Sequence, residues 1–478
     1  MKNILIAIRS IFKKGRHNVM KIVSLGIGLA VGLVLIAKVY FEQSYDDFYP
    51  DRDRVYQVWA KYQQNGGELK DYPQTSGGIA PTMQQQIPEI ETVTRYTSFG
   101  DWTFTMTDTK MKYSGRCIIA DSCFFDILPR PMLIGNAKEV LSIPMYVLVS
   151  SRIAKNIGGD VIGKNFTVDS SPGRTMTIGG VFEEVPENSH SRYDVIVSMA
   201  SAGRFMWEGS PTNMLGNDRY ISYVKLHKGV NPLALEEQVR TFVNSYFPPE
   251  EQQKVGLSID FSFHKLDNLH KELPQVKRMT WILSLLAFAL IFTAVMNYIL
   301  IVISSIVNRS KEVAVHKCYG ASENNIHGMM FGEALVHIVL SLILALLLIL
   351  AFRGTVEELL ATSLDSLLLS NGSLVLLGIC ILVFFVSGFM PGSLYARIPV
   401  ASAFRNYREN KRIWKKALLL VQFVATGFLV TMLVFVARQY TFMVNDRPGY
   451  AYENLAYCGL AGVDSTSRAK ILDEVMRL

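Results

Sequence analysis

The sequence predicts a membrane α-helical bundle joined to an α+β domain outside the bilayer, and three observations carry that prediction. Apolar runs at 19–41, 278–307, 329–352, 372–390 and 417–437 are long enough to cross a hydrocarbon core of about 30 Å. The stretch 42–277 between the first two instead alternates short apolar-polar segments with Gly, Pro, Asn and Asp clusters, as a folded domain in water does. Lys and Arg collect in short segments beside the apolar runs, which is the distribution that sets membrane topology. The composition agrees: a 478-residue chain that is 50% hydrophobic and 19% charged is too apolar for an ordinary soluble protein and too charged to lie wholly in lipid. A net charge of +7 would suit nucleic acid only if it formed a patch, so its scatter beside the spans excludes that partner and implies the lipid bilayer.

The elements follow in order. Residues 1–18 form a basic amphipathic segment in which Lys2, Arg9, Lys13, Lys14 and Arg16 occur without an acid, which places the N-terminus in the cytoplasm. The run 19–41 is longer than a signal-peptide core and lacks a small-residue cleavage site, so it reads as an uncleaved anchor. Within it Gly28 and Gly32 make a small-xxx-small face against which another helix can pack.

The domain 42–277 should contain strands near 55–62, 145–149, 175–182 and 220–226 and a helix near 233–246. Gly158-Gly159-Asp160-Val161-Ile162-Gly163-Lys164-Asn165 nearly matches a phosphate-binding loop. Asn165 replaces the magnesium-binding hydroxyl, however, and Phe166-Thr167-Val168 continues as strand rather than helix, so nucleotide is not expected there. The five cysteines, Cys117, Cys123, Cys318, Cys380 and Cys458, show no metal spacing. Cys117 and Cys123 share the outer domain and are open to a disulfide, with buried free thiols the simpler reading. His190 has no ligand partner at helical or hairpin spacing and reads as a turn-stabilising residue, so neither metal nor cofactor is expected.

The second apolar run, taken over 280–307 as one helix, would be about 42 Å long, so it must tilt or project into water. Asn297 inside it predicts a hydrogen bond to a neighbouring helix. The polar link 308–328 then has helical spacing, with Val315 and Tyr319 four apart on one face and Arg309, Glu312 and His316 on another. Gly320 supplies a left-handed stop and Ser322 a cap for the next helix. The result is a helical elbow held just outside the bilayer, presenting apolar knobs and charge together. Its plainer reading is a basic loop that only fixes topology.

Beyond it, Glu333 and His337 lie four apart near the start of the third span, and mutual pairing at interfacial depth explains them better than proton relay. The outer loop 353–371 sets Arg353 against Glu357, Glu358 and Asp365. The segment 391–416 is strongly basic, with Arg397, Arg405, Arg408, Lys411, Arg412, Lys415 and Lys416, and returns the chain to the cytoplasm. After the fifth span, 438–478 begins a second polar outer segment, so the order basic lead, span, outer segment restarts.

Several ordered stretches resemble one family. Arg309-Ser310-Lys311-Glu312-Val313-Ala314-Val315-His316-Lys317-Cys318-Tyr319-Gly320-Ala321-Ser322 looks like the Arg-x-x-Glu-Ile-Gly-Ile-Arg-Lys-x-x-Gly-Ala-Ser signature of MacB/FtsX-type ABC transporter permeases, with His316 in place of the usual Arg and Ala314 in place of Gly. The passage from Glu42-Gln43-Ser44-Tyr45-Asp46 to Arg54-Val55-Tyr56 is similar to the one that follows the first span in Bacteroidota-type members. Gly179-Gly180-Val181-Phe182 through Pro186-Glu187-Asn188-Ser189-His190 resembles part of the MacB-like periplasmic domain, and Met390-Pro391-Gly392 through Pro399 resembles the end of the FtsX-like unit.

The resemblance implies a non-catalytic permease subunit of the bacterial inner membrane, with the large domain periplasmic. It implies an ABC ATPase subunit docked on Arg309, Lys311, Glu312, Val315, His316, Lys317, Tyr319, Gly320 and Ala321. It also implies mechanotransmission or efflux of macrolide, peptide or lipoprotein-type substrates with no chemistry in this chain itself, and a second permease protomer or a second repeat, with room for a periplasmic partner. Because larger members carry the unit twice, the expectation at Leu478 is a truncated second repeat. The alternatives are a membrane-anchored periplasmic binding or sensory protein, or a regulator of cell-wall hydrolases; an enzyme lacks any catalytic constellation.

Overall fold

The structure, a computed structural model, describes residues 17–169, 171, 173–216, 218–369, 372–396, 413–445 and 465–477. The basic leads 1–16 and 397–412 and the stretch 446–464 lie outside the described residues. The chain divides into two units, 1–43 with 273–452, and 44–272 with 453–478.

The first unit is helical. Its long helices are α1 (Asn18–Gln43), α2 (Pro274–Ser304), α3 (Ile306–Cys318), α4 (Glu323–Ala351), α5 (Ser373–Ala396) and α6 (Ile413–Asn445). Five of these, all but α3, are long and apolar enough to cross a membrane. α1 and α6 overrun the expected spans at both ends, α2 and α4 at their starts and α5 at its end, because a helix continues through polar residues as long as its backbone hydrogen bonds are unbroken, whereas hydropathy reports only the part that suits lipid. α2 starts at Pro274, whose fixed φ and missing N–H suit a first helical turn. The loop 353–371 holds two short helices, Arg353–Leu360 and Leu364–Leu368, tied by Arg353 to Glu357 at 2.9 Å and to Asp365 at 3.1 Å.

Leu25, Leu29 and Leu33 of α1, Ala294, Tyr298 and Val302 of α2 and Ile326, Met330 and Ile338 of α4 share one core. Gly28 and Gly32 face α2, where an added Cβ would collide with Ala294 and Ile291 respectively. Gly26 does the same toward α4, 2.9 Å from Leu344. The small-residue face is therefore covered by helices of the same chain.

The second unit is built on a sheet with strands β1 (Val55–Gln64), β2 (Lys70–Tyr72), β3 (Ile90–Met106), β4 (Lys112–Ala120), β5 (Met132–Ile134), β6 (Tyr146–Ser150), β7 (Asn165–Val168), β8 (Thr175–Phe182), β9 (Val195–Ser198), β10 (Ile221–Leu226) and β11 (Leu257–Lys265). Its order is β11-β1-β10-β3-β4-β9-β6-β8-β5, with β2 on β1. β7 pairs with both β3 and β8, so β3-β4-β9-β6-β8-β7 returns on itself and leaves no free edge in that part.

Period-two alternation then sorts the side chains. Cys117, Ile119, Val147 and Val149 point into the closed part beside Phe104 and Phe166, while Ile118, Ala120, Leu148 and Ile196 point outward under the short helices Phe124–Ile127 and Ala137–Ser142. A third core lies where β1, β10 and β11 are covered by Ile79–Gln86 and Glu236–Tyr246. Cys117 is buried and Cys123 half-buried, both as free thiols. Residues 158–164 link the helix Ser151–Ile157 to β7, the reverse of the strand-loop-helix order that a phosphate loop requires.

Candidate functional site

The elbow is α3 with the turn that follows it. Ser305 interrupts the helix between α2 and α3, its N–H donating to Ile301 O at 3.3 Å and to Val302 O at 3.2 Å. At the other end the chain closes as a Schellman motif. Ala321 N–H donates to His316 O and Gly320 N–H to Lys317 O, each at 3.0 Å, with Gly320 left-handed at φ +85°. Ser322 then caps α4, its Oγ accepting from Asn325 N–H at 3.4 Å. Ile326 and Met330 carry the start of α4 into the core, so both ends of the elbow are held.

The spacing of α3 decides what remains outside. Ser310, Val313 and Ala314 are buried in the helical unit, while Lys311, Val315, His316, Cys318 and Tyr319 are exposed. Glu312, Lys317 and Ala321 are half-buried between these faces. Val315 is 43% and Tyr319 89% exposed, an unusual outlay of apolar surface on a helix whose other face is already buried. Arg309 lies on the backbone of α3, but its side chain is outside the described residues. Gly320 sits at the tip, where an added Cβ would meet nothing within 4 Å.

Asn297 is placed away from the elbow, in α2, where its Oδ1 accepts from Gln422 Nε2 of α6 at 2.5 Å. Glu333 and His337 each meet a residue of another helix. Lys21 of α1 stands 3.5 Å from Glu333, and Tyr298 of α2 holds His337 Nδ1 at 3.2 Å, so the two residues tie α4 to two different helices. All four side chains are buried, and the sequence signal for Glu333 and His337 was their four-residue spacing near the start of an apolar run.

In the second unit, two stretches picked out separately by sequence meet. Asp46 adopts φ +57° and is 1% exposed. Its carboxylate accepts from Ser189 Oγ at 2.6 Å and from His190 N–H at 3.2 Å, and lies 2.5 Å from His190 Nδ1. Asn188 Nδ2 donates to Ser44 O at 2.6 Å, and Asp46 N–H donates back to Asn188 O at 2.9 Å. Tyr45 stacks on His270 at 3.7 Å and meets His190 edge-on at 5.0 Å. His190 is thus a latch residue on a strained turn. No cluster of metal-ligating side chains occurs among the described residues.

The domains that carry these features are known ones. Residues 20–242 match the MacB-like periplasmic core domain, and residues 284–400 match the FtsX-like permease C-terminal domain. Among solved structures, a domain of a protein described as a permease from Porphyromonas gingivalis is 32% identical, covering 45% of this chain and 91% of that one, at a TM-score of 0.42. The periplasmic region of MacB from Actinobacillus actinomycetemcomitans is 15% identical over 43% of this chain and 87% of that one, at 0.30. The extracellular domain of the noncanonic ABC-type transporter YknZ from Gram-positive bacteria is 10% identical over 43% and 98%, at 0.31. A search of curated protein sequences gave no match. The chain belongs to the MacB/FtsX-type family of ABC transporter permeases.

Proposed function

We propose that this permease receives force from a separate ABC ATPase through the elbow and passes it to the MacB-like domain on the other side of the membrane. The observation that carries the reading is the two-sidedness of α3. Ser310, Val313 and Ala314 root it in the bundle, while Val315 and Tyr319, flanked by Lys311 and His316, stand out as a compact apolar and basic contact surface. A load applied to that surface would move α2 and α4 together, because the Schellman turn and the Ser322 cap leave little slack between them.

The scatter of Lys and Arg beside the spans supports an elbow on the cytoplasmic side and a large domain on the periplasmic side of a bacterial inner membrane. An ATPase that works as a closing dimer needs two such elbows, so a second permease protomer or repeat completes the assembly. The chain performs no catalysis in this reading. It converts ATP-driven closure into a shape change of the MacB-like domain, serving efflux of macrolide, peptide or lipoprotein-type cargo or action on a periplasmic partner.

The test is co-purification with the ATPase encoded beside this chain, comparing wild type with Val315→Asp and Glu312→Lys. A charge placed in a desolvated contact should cost about 2 kcal/mol or more, roughly thirtyfold in affinity. Loss of the ATPase from both variants while the permease itself remains folded is the expected result. Wild-type recovery of the ATPase by both would remove the elbow from the interface and favour a membrane-anchored sensory protein.

A further inference from the structure

The MacB-like domain contains a buried cation that its own carboxylates do not neutralise. Arg130, just before β5, is 6% exposed. Its guanidinium lies 5.1 Å from the Phe182 ring centroid, 5.7 Å from Phe125, 5.8 Å from Phe124 and 6.0 Å from Tyr193. Its Nε and Nη2 are buried without a hydrogen-bond partner. Ring faces offset only part of the cost of taking a guanidinium out of water, and an unpaired buried N–H adds to that cost. Burial accordingly pulls the Arg130 pKa below its ordinary value, with Tyr49 and Tyr193 opposing the shift.

The same side chain lines a cavity of about 520 Å³ together with Arg116, Arg152, Arg192 and Tyr193. The acids around that cavity are mostly spent. Asp194 pairs with Arg152 at 2.5 Å and accepts the Arg116 backbone N–H at 2.9 Å, and Glu184 reaches Arg152 at 3.4 Å. Arg116 and Arg192 make no ion pair among the described residues, and the lining sets four guanidinium groups against three carboxylates, those of Asp101, Glu184 and Asp194, of which the last two already face Arg152. Tyr193, whose burial raises its phenol to about 12, stays a neutral hydrogen-bonding group at the wall.

We propose that this cavity is an oxyanion-binding site, in which Arg130 with Arg116 and Arg192 holds the phosphate or carboxylate head of a ligand larger than the bare ion. A planar guanidinium fork matches such an oxyanion in two-point contact. The volume exceeds what a lone phosphate needs, so the head group carries further atoms that rest against the aromatic wall. The proposal does not depend on how the helices couple to an ATPase.

The experiment uses the full chain in nanodiscs of zwitterionic lipid, titrated calorimetrically with inorganic phosphate and, separately, with dihexanoylphosphatidic acid below its micelle concentration. Wild type should bind both saturably. Arg116→Gln and Arg192→Gln should each weaken binding about tenfold, the loss of one charge-assisted contact. Arg130→Met should abolish binding, while Arg174→Gln, outside the cavity, should leave it unchanged. Tighter binding of the lipid than of phosphate assigns a lipid head group as the source, and equal binding assigns a free small-molecule anion. Because Arg116 and Arg192 are exposed, their variants decide the matter even if Arg130→Met does not fold. Absence of saturable binding of both probes, or wild-type binding by the Arg116 and Arg192 variants, overturns the site.

Discussion

Replacing Gly320 by alanine isolates the backbone term at the tip of the elbow. Gly320 stands at φ +85°, and a Cβ there meets nothing within 4 Å, so no steric contact confuses the outcome. A side chain in the left-handed region costs about 1–2 kcal/mol, and alanine regains about 0.4–1 kcal/mol by restricting the unfolded chain. The net is about 1 kcal/mol against the closed turn, or roughly a fivefold shift in its opening equilibrium.

The assay is amide hydrogen exchange at residues 320 and 321, whose N–H groups donate to Lys317 O and His316 O at 3.0 Å. Exchange should quicken about fivefold for Gly320→Ala and by less for Gly320→Asn, because asparagine tolerates the left-handed region better. Gly354→Ala serves as the control, since Gly354 is helical, equally open, and gains helix propensity. Unchanged exchange in Gly320→Ala, or an asparagine variant worse than alanine, would refute the view that this turn is held by glycine backbone geometry.

Three further outcomes are expected. Lys21→Met should destabilise the helical unit by about 3–5 kcal/mol by removing the cation beside buried Glu333, and Lys21→Met with Glu333→Leu should recover most of it in thermal unfolding; a double variant as weak as the sum of the singles would show no coupling. Asp46→Ala should cost about 2–4 kcal/mol, since three donors lose their acceptor and alanine inherits φ +57°. Asp46→Gly should relieve only the backbone share, and equal losses in the two variants would deny the strain. Iodoacetamide followed by mass spectrometry should modify exposed Cys318 readily and buried Cys117 only on unfolding. Burial pushes the Cys123 thiol up to about 11, so its labelling should be slow at pH 8 and rise about tenfold per pH unit to pH 10; a flat profile would contradict that burial.

The sequence by itself determined the parts whose physics is local. Apolar run length set the membrane helices, because crossing lipid requires consecutive apolar residues and nothing distant can substitute for them. Gly320 and Ser322 marked the two sides of the elbow turn for the same reason, since left-handed backbone and side-chain capping act within a few residues. Strands such as Thr175–Phe182 and Ile221–Leu226 were legible as alternation.

What only the tertiary structure decided involves residues far apart in the chain. Strand order is one example, as the alternation in β7 does not say that it will bridge β3 and β8. The partner of Asp46 is another, supplied by His190 across 144 positions. Glu333 read as the partner of His337, and its approach to Lys21 came only when α1 and α4 met. Arg130 was invisible as a site because an arginine's cost depends on the rings and carboxylates around it, and those come from β8, from the helix Phe124–Ile127 and from the turn before β9. Local signals fix where the backbone bends and what it can bury, whereas charge and hydrogen-bond complementarity are properties of surfaces that exist only once the chain has folded.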